Sequence, residues 1–201
     1  MIIPAKPGPD TQWALEHASH LVTNCGASEV LVVGGYDGAG HARNDGAAQA
    51  KGDILVFMDA DAWLFGDLRV LEWLEGDYWT PKYWEVSEAI KQDLTTAWAV
   101  KYLNFLAAFR LWPHLMGPFI SCTREAYKAV HLKVGGWGAF IPDAGWEDTG
   151  FGVDLMALRF KHELAPLRVR LRRPFKSPWT GVRRSGRKVK THVPGEIRRI
   201  T

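Results

Sequence analysis

The chain has 201 residues, 47% of them hydrophobic and 23% charged, with a formal net charge of +3, which suits one globular domain with a sizeable core. Two cysteines, Cys25 and Cys122, make neither a disulfide framework nor a metal-site spacing, so a reducing, cytoplasmic setting is expected. No run approaches the length of a membrane span, and Met1-Ile2-Ile3-Pro4 lacks the basic and apolar regions of a leader.

Two further totals are uneven. Asn and Gln together number only six, which points toward a thermophilic source, and ten Trp supply aromatic surface for a core, for sugars and bases, or for a membrane interface. Between Arg168 and Arg199 stand twelve Lys and Arg against the single acid Glu196, so a basic tail follows an acidic body.

Ile2-Ile3-Pro4-Ala5 reads as a first strand, ended by Pro7, Gly8 and Pro9. Asp10 or Thr11 is placed to cap a helix to about Val22, and Glu29 to Val33 reads as a second strand, so the β-α-β alternation predicts parallel pairing. Gly34 to Gly40 is either a flexible turn or a ligand loop, but Arg43 stands where a dinucleotide loop needs its third glycine. Arg43 and Asn44 open a helix before Gly52. Ile54-Leu55-Val56-Phe57-Met58 has no alternation, as in a strand buried on both faces. It runs into Asp59-Ala60-Asp61. In extended backbone these two carboxylates face one way, as hard ligands for Mg²⁺ or Mn²⁺ at the carboxyl end of a strand, and the plain alternative is the start of a polar loop.

Ala42-Arg43-Asn44, Gly46-Ala47, Ala50, Gly52-Asp53, the apolar strand and Asp59-Ala60-Asp61 together resemble family 2 glycosyltransferases. The resemblance implies a GT-A fold: an α/β, Rossmann-like three-layer sandwich with a mostly parallel central sheet in a single domain. It implies a UDP- or GDP-sugar donor held with Mn²⁺ or Mg²⁺. Pro4 and Ala5 then lead to the nucleotide loop, Asp37 is the remaining candidate for the base, and Arg43 and Asn44 face the diphosphate or the nucleotide. Asp59 lies near the ribose or the metal, and Asp61 on the metal.

Farther on, Trp63 to Glu75 reads as a helix and Asp77 to Trp84 as an aromatic-rich strand. Leu94 to Trp112 is a helical pattern with Trp98, Tyr102, Phe105 and Phe109 recurring at three and four, read first as a core helix and otherwise as a face toward a lipid-linked acceptor. Gly117 to Tyr127 with Gly135-Gly136-Trp137 resembles the family's acceptor segment, with His131-Leu132-Lys133 as an apparent insertion. Glu147-Asp148 resembles its acidic motif, so Asp148, with Glu147 beside it, is the expected general base; an acidic first turn of a helix also accounts for the pair.

Arg168, Arg170 and Arg172 alternate with Val169 and Leu171, which reads as a strand with one charged face. Gly181 to Lys190 reads as a loop, and the resemblance makes His192 a candidate metal ligand, where the residue alone reads as a structural histidine. The chain is therefore divided into 1–165, the transferase domain, with a nucleotide-sugar half at 1–61 and an acceptor half at 62–165. Residues 166–201 form a basic extension. The extension is read as a lid with Arg183 and Arg184 on phosphate, against a solvated charged face or contact with an anionic membrane or lipid-diphosphate acceptor. The function expected is metal-dependent, inverting transfer of a sugar to an acceptor hydroxyl, lipid-linked or glycan. The rivals are a nucleotidyltransferase and a non-catalytic module binding anionic lipid or nucleotide. An acidic body disfavours nucleic acid.

Overall fold

The computed structural model describes residues 1–35, 39–109, 118–134, 147–173 and 196–201. Its strands are β1 (Ile2–Pro4), β2 (Val30–Val33), β3 (Ile54–Met58), β4 (Ala62–Phe65), β5 (Tyr78–Val86), β6 (Phe119–Thr123), β7 (His162–Leu171) and β8 (Ile197–Ile200). The helices are α1 (Pro9–Asn24), α2 (Ala39–Gln49), α3 (Leu94–Phe109), α4 (Arg124–Val134) and α5 (Glu147–Ala157), with 3₁₀ turns at Leu68–Trp73 and Glu88–Ile90.

The strands form one sheet in the order β4-β7-β5-β6-β3-β1-β2-β8. The pairs β1–β2, β1–β3 and β5–β7 are parallel. The pairs β2–β8, β3–β6, β4–β7 and β5–β6 are antiparallel. The sheet is thus mixed rather than purely parallel, with β1, β2, β3, β5 and β7 running one way and β4, β6 and β8 the other. The β-α-β run at the start does give a parallel core, but β6 and β8 enter it from distant parts of the chain in the opposite sense.

Alternation along the central strands divides the apolar residues between two layers. Ile3, Val32, Val56 and Met58 pack with Ala14, Ala18 and Leu21 of α1. Ile2, Leu31, Leu55 and Phe57 face Ala42 and Ala47 of α2, Tyr127 and Val130 of α4 and Phe151 and Leu155 of α5. Gly46 is required where α2 crosses β1, because a Cβ there would stand 2.4 Å from Ile2 Cγ2. Arg124, in the segment that resembles the acceptor lining, has a structural role. Its guanidinium donates to the carbonyls of Ala50 and Gly52 and ties α4 to the loop before β3.

Several expectations change. The cap of α1 is Gly8 with Pro9 in the first turn, not Asp10 or Thr11; the Thr11 hydroxyl donates instead to the Lys6 carbonyl. No helix spans 63–75. Ala62 and Leu64 are buried, Trp63 and Phe65 less so, and this alternation pairs with β7 as β4. Gly66, at φ +116°, then ends the strand in a conformation that other residues rarely adopt. His131, Leu132 and Lys133 continue α4. The expected boundary at 165/166 falls inside β7, whose Val169 and Leu171 are buried in the sheet. Among the described side chains of α3, Val100 is buried, while Leu94, Trp98, Tyr102 and Phe105 lie 75%, 73%, 57% and 51% exposed. No helix among the described residues is long and apolar enough to cross a membrane.

Candidate functional site

The first three strands end together. At the end of β1, Pro4 pairs with Val33 of β2, and the Ala5 amide donates to the Val33 carbonyl at 2.9 Å. At the end of β3, the Asp59 amide donates to Pro118 O at 3.2 Å, and the Ala62 amide returns to Asp59 O at 3.0 Å. Asp59-Ala60-Asp61 is therefore a tight turn between β3 and β4 rather than extended backbone. Arg172, just past β7, donates its amide to the Asp61 carbonyl at 2.9 Å and fixes the far side of the turn.

Each carboxylate of the turn faces a guanidinium. Arg43 is 1% exposed and its Nη2 lies 2.8 Å from Asp59 Oδ1. Arg173 pairs with Asp10 of α1, and its Nε lies 4.0 Å from Asp61 Oδ2. The Arg173 guanidinium also stacks 4.6 Å above the Trp13 ring, and that of Arg172 stacks 4.3 Å above Trp63. Asp59 and Asp61 keep about a third of their side-chain surface, 33% and 30%. Two partly open carboxylates thus sit at the sheet's carboxyl edge between a fixed cation and a more exposed one.

The remaining expected residues divide into four groups. Asn44 lies inside α2 and accepts from the Tyr127 hydroxyl at 3.0 Å, which joins it to α4; burial pushes that phenol well above its usual range. Glu147 and Asp148 are the first two residues of α5, a position that an acidic motif and a plain helix start share, and their side chains lie outside the described residues. Asp37, Arg183, Arg184 and His192 lie outside the described residues altogether. Pro4 and Ala5 stand at the strand end as expected.

A cleft of about 640 Å³ opens beside this edge. It is lined by Pro7, Gly8 and Thr11 after β1, Gly34 and Gly35 after β2, and Glu196 and Arg198 of the C-terminal strand region. Asp10, Arg173 and Glu196 were not anticipated from the sequence. Only the Arg172-Arg173 pair, breaking the alternation of β7, marks one of them there.

No group of three His, Cys, Asp or Glu able to hold a metal occurs among the described residues. That is compatible with Mg²⁺ or Mn²⁺, which take one or two carboxylates and complete their shell with water and substrate phosphates. Asp59 and Asp61 supply hard oxygens of that kind, and both already face cations. The donor set fits such an ion carrying a diphosphate.

A parallel βαβ core with an acidic turn at the carboxyl end of its third strand is the layout of a GT-A nucleotide-sugar domain. The chain belongs to glycosyl transferase family 2, whose description matches residues 16–130. Among solved structures it is similar to the mannosyltransferase PcManGT from Pyrobaculum calidifontis, in complex with GDP-Man and Mn²⁺. That likeness has a TM-score of 0.56 and 17% identity, over 89% of this chain and 58% of that one. A weaker likeness, TM-score 0.44 and 15% identity over 92% and 74%, is to glucosyl-3-phosphoglycerate synthase from Mycobacterium tuberculosis, in complex with Mn²⁺, UDP and glucosyl-3-phosphoglycerate. The first of these establishes the GT-A fold, and this chain spans 58% of that mannosyltransferase's length. Among curated proteins none matches.

Proposed function

We propose that this protein is a metal-dependent, inverting glycosyltransferase that moves a sugar from a UDP- or GDP-sugar to an acceptor hydroxyl. The observation that carries the reading is the Asp59-Ala60-Asp61 turn at the joined ends of β1, β2 and β3, with a guanidinium on each side. Asp59 and Asp61 would hold the divalent ion, which supplies neutralising charge for the departing diphosphate.

The rest is done by the chain's own groups. Gly34 and Gly35 border the cleft in which the nucleoside is proposed to lie, and Pro4 and Ala5 end the strand that leads into it. Arg43 holds Asp59 in place and adds fixed positive charge beside the leaving group, which costs no reorganisation during reaction. Asp148, in the first turn of α5, takes the proton from the acceptor hydroxyl. The acceptor oxygen then bonds to the anomeric carbon as the bond from that carbon to the diphosphate oxygen breaks, its electron pair leaving with the nucleoside diphosphate. The family match supports this reading over a nucleotidyltransferase or a bare binding module.

Sugar transfer or donor hydrolysis by purified protein, lost in EDTA and restored by Mn²⁺ or Mg²⁺, is the expected result. Turnover unaffected by EDTA would remove the metal from the proposal. A lipid-linked acceptor or peripheral membrane contact rests on a separate observation, the exposed Leu94, Trp98, Tyr102 and Phe105 face of α3. Sedimentation with vesicles, reduced by Trp98→Ser with Tyr102→Ser, is the expected outcome there; no sedimentation of the parent protein would refute it.

A further inference from the structure

Arg43 and Arg173 are not equivalent. Arg43 is buried and pinned on Asp59, so it is part of the site's floor. Arg173 is 37% exposed and is held on three sides: by the Asp10 carboxylate, by the Trp13 ring 4.6 Å away, and by the Asp61 carboxylate at 4.0 Å. The contact to Asp61 is long for an ion pair, while the contact to Asp10 is tight. The guanidinium is thus anchored from α1 and leans toward the acidic turn.

We propose that Arg173 grips the donor's diphosphate, and that its approach to Asp61 makes metal and nucleotide binding depend on each other. This rests on the donor reading above. A divalent cation at Asp59 and Asp61 brings like charge up to the Arg173 guanidinium, so metal without nucleotide binds against repulsion. A diphosphate arriving with the metal offers that guanidinium two oxygens in the fork geometry that arginine matches and lysine does not. Each ligand then supplies what the other lacks: the metal screens the phosphates from Asp59 and Asp61, and the phosphates separate Arg173 from the metal. Asp10 and Trp13 limit how far the side chain can swing, so little freedom is lost when it engages phosphate.

The surrounding residues limit other uses for Arg173. The cations of β7 are taken elsewhere, with Arg168 and Arg170 on Glu85 and over the Phe65 ring. Arg172 is stacked on Trp63 and uses its amide to fix the turn. Arg198 and Arg199 pair with Glu196 and Glu29. Of the six described cations between Arg168 and Arg199, Arg173 is the one whose guanidinium reaches the acidic turn.

The test is calorimetric titration of GDP, UDP and the parent nucleosides, with and without Mn²⁺, together with Mn²⁺ alone followed by its electron paramagnetic resonance. In the unmodified protein, Mn²⁺ and nucleoside diphosphate should strengthen each other about tenfold or more, within the roughly 5- to 150-fold range usual for coupled sites. In Arg173→Gln, Mn²⁺ alone should bind about three- to tenfold tighter, the diphosphate in Mn²⁺ about tenfold weaker, and the coupling should shrink accordingly. Arg173→Lys keeps the charge without the fork and should fall between the two. Guanosine and uridine, which have no phosphate, should not respond to either change. Coupling in Arg173→Gln equal to that of the unmodified protein, or an equal loss for nucleosides, overturns the role of Arg173 and leaves the donor reading standing. Absence of any Mn²⁺-dependent nucleotide binding in the unmodified protein overturns both.

Discussion

His17 of α1 is 1% exposed, lies flat against Trp63 at 3.9 Å, and accepts the Leu64 amide on Nε2 at 3.3 Å. Its proton must then sit on Nδ1, which has no hydrogen-bond partner among the described residues. Burial, with His20 and Arg172 nearby, lowers its pKa to about 3, and burial lowers that of His162, beside the Thr80 hydroxyl, to about 4. Both histidines are neutral when folded and take up protons more readily when unfolded. Their contribution to stability is therefore complete above about pH 6.5 and is lost as pH falls toward those lowered values. Urea unfolding should show each costing about 1.6 kcal/mol between pH 6.5 and pH 5, since the unfolded imidazole is half protonated at about pH 6.5 and each further tenfold rise in proton concentration favours its protonated form by about 1.4 kcal/mol. His17→Phe should flatten that pH slope, and an unchanged slope would place the acid sensitivity elsewhere. The proposed base has a kinetic test: Asp148→Asn should keep donor binding while transfer falls by about 10²- to 10⁴-fold. Activity within a few-fold of the parent would move the role to Glu147 or another group.

At the scale of elements, α3 shows how one side chain can stand in for a strand. β6 pairs with β5 only at Tyr78 and Trp79. Farther along, Asn104 of α3 accepts the Trp84 amide at 2.8 Å and donates to the Trp84 carbonyl at 2.9 Å, as a neighbouring backbone would. Asn104→Leu strands both groups and should cost roughly 2–3 kcal/mol in chemical denaturation. A loss below about 0.5 kcal/mol would mean that water replaces the amide. The sequence pattern announced α3 as a helix but not which face it buries, because apolar residues lie on both. β3 was legible because five apolar residues without alternation suit a strand enclosed on two faces, whereas the turn that Asp59-Ala60-Asp61 makes after it reads as extended backbone in the sequence, since the contacts that bend it come from Pro118 and Arg172 far along the chain. β4 was misread because Trp63, Leu64, Leu68 and Leu71 also fit a helical spacing, and the pairing with β7 that decides the matter lies about a hundred residues away. Separation along the chain likewise hid Arg173 and Asp10 from the turn, since neither adjoins Asp61 in sequence.

For the molecule as a whole, the basic tail is less a separate extension than its position suggests. β7 lies inside the sheet, and β8 covers the edge of β2 from Val30↔Ile200 to Val33↔Ile197. The Glu196 carbonyl accepts the Gly34 amide at 2.8 Å, and Arg199 reaches buried Glu29. Removing 196–201 should therefore lower the melting temperature and promote association through the bared β2 edge, as light scattering on heating would show. Unchanged melting and scattering would mean that β8 contributes little to closing the sheet. The placement of β8 also bears on how the fold is reached. β1, β2 and β3 can assemble from neighbouring sequence, whereas β8 arrives from far along the chain, with Arg199 meeting the Gln49 carbonyl 150 residues earlier. Such long-range closure is slow, because much of the chain must be ordered before the contact forms. In pulse-labelled exchange during refolding, the amides of β3 should become protected before those of β8. Until β8 docks, the apolar edge of β2 is open to strands of other molecules, so the yield of refolded protein should fall as its concentration rises.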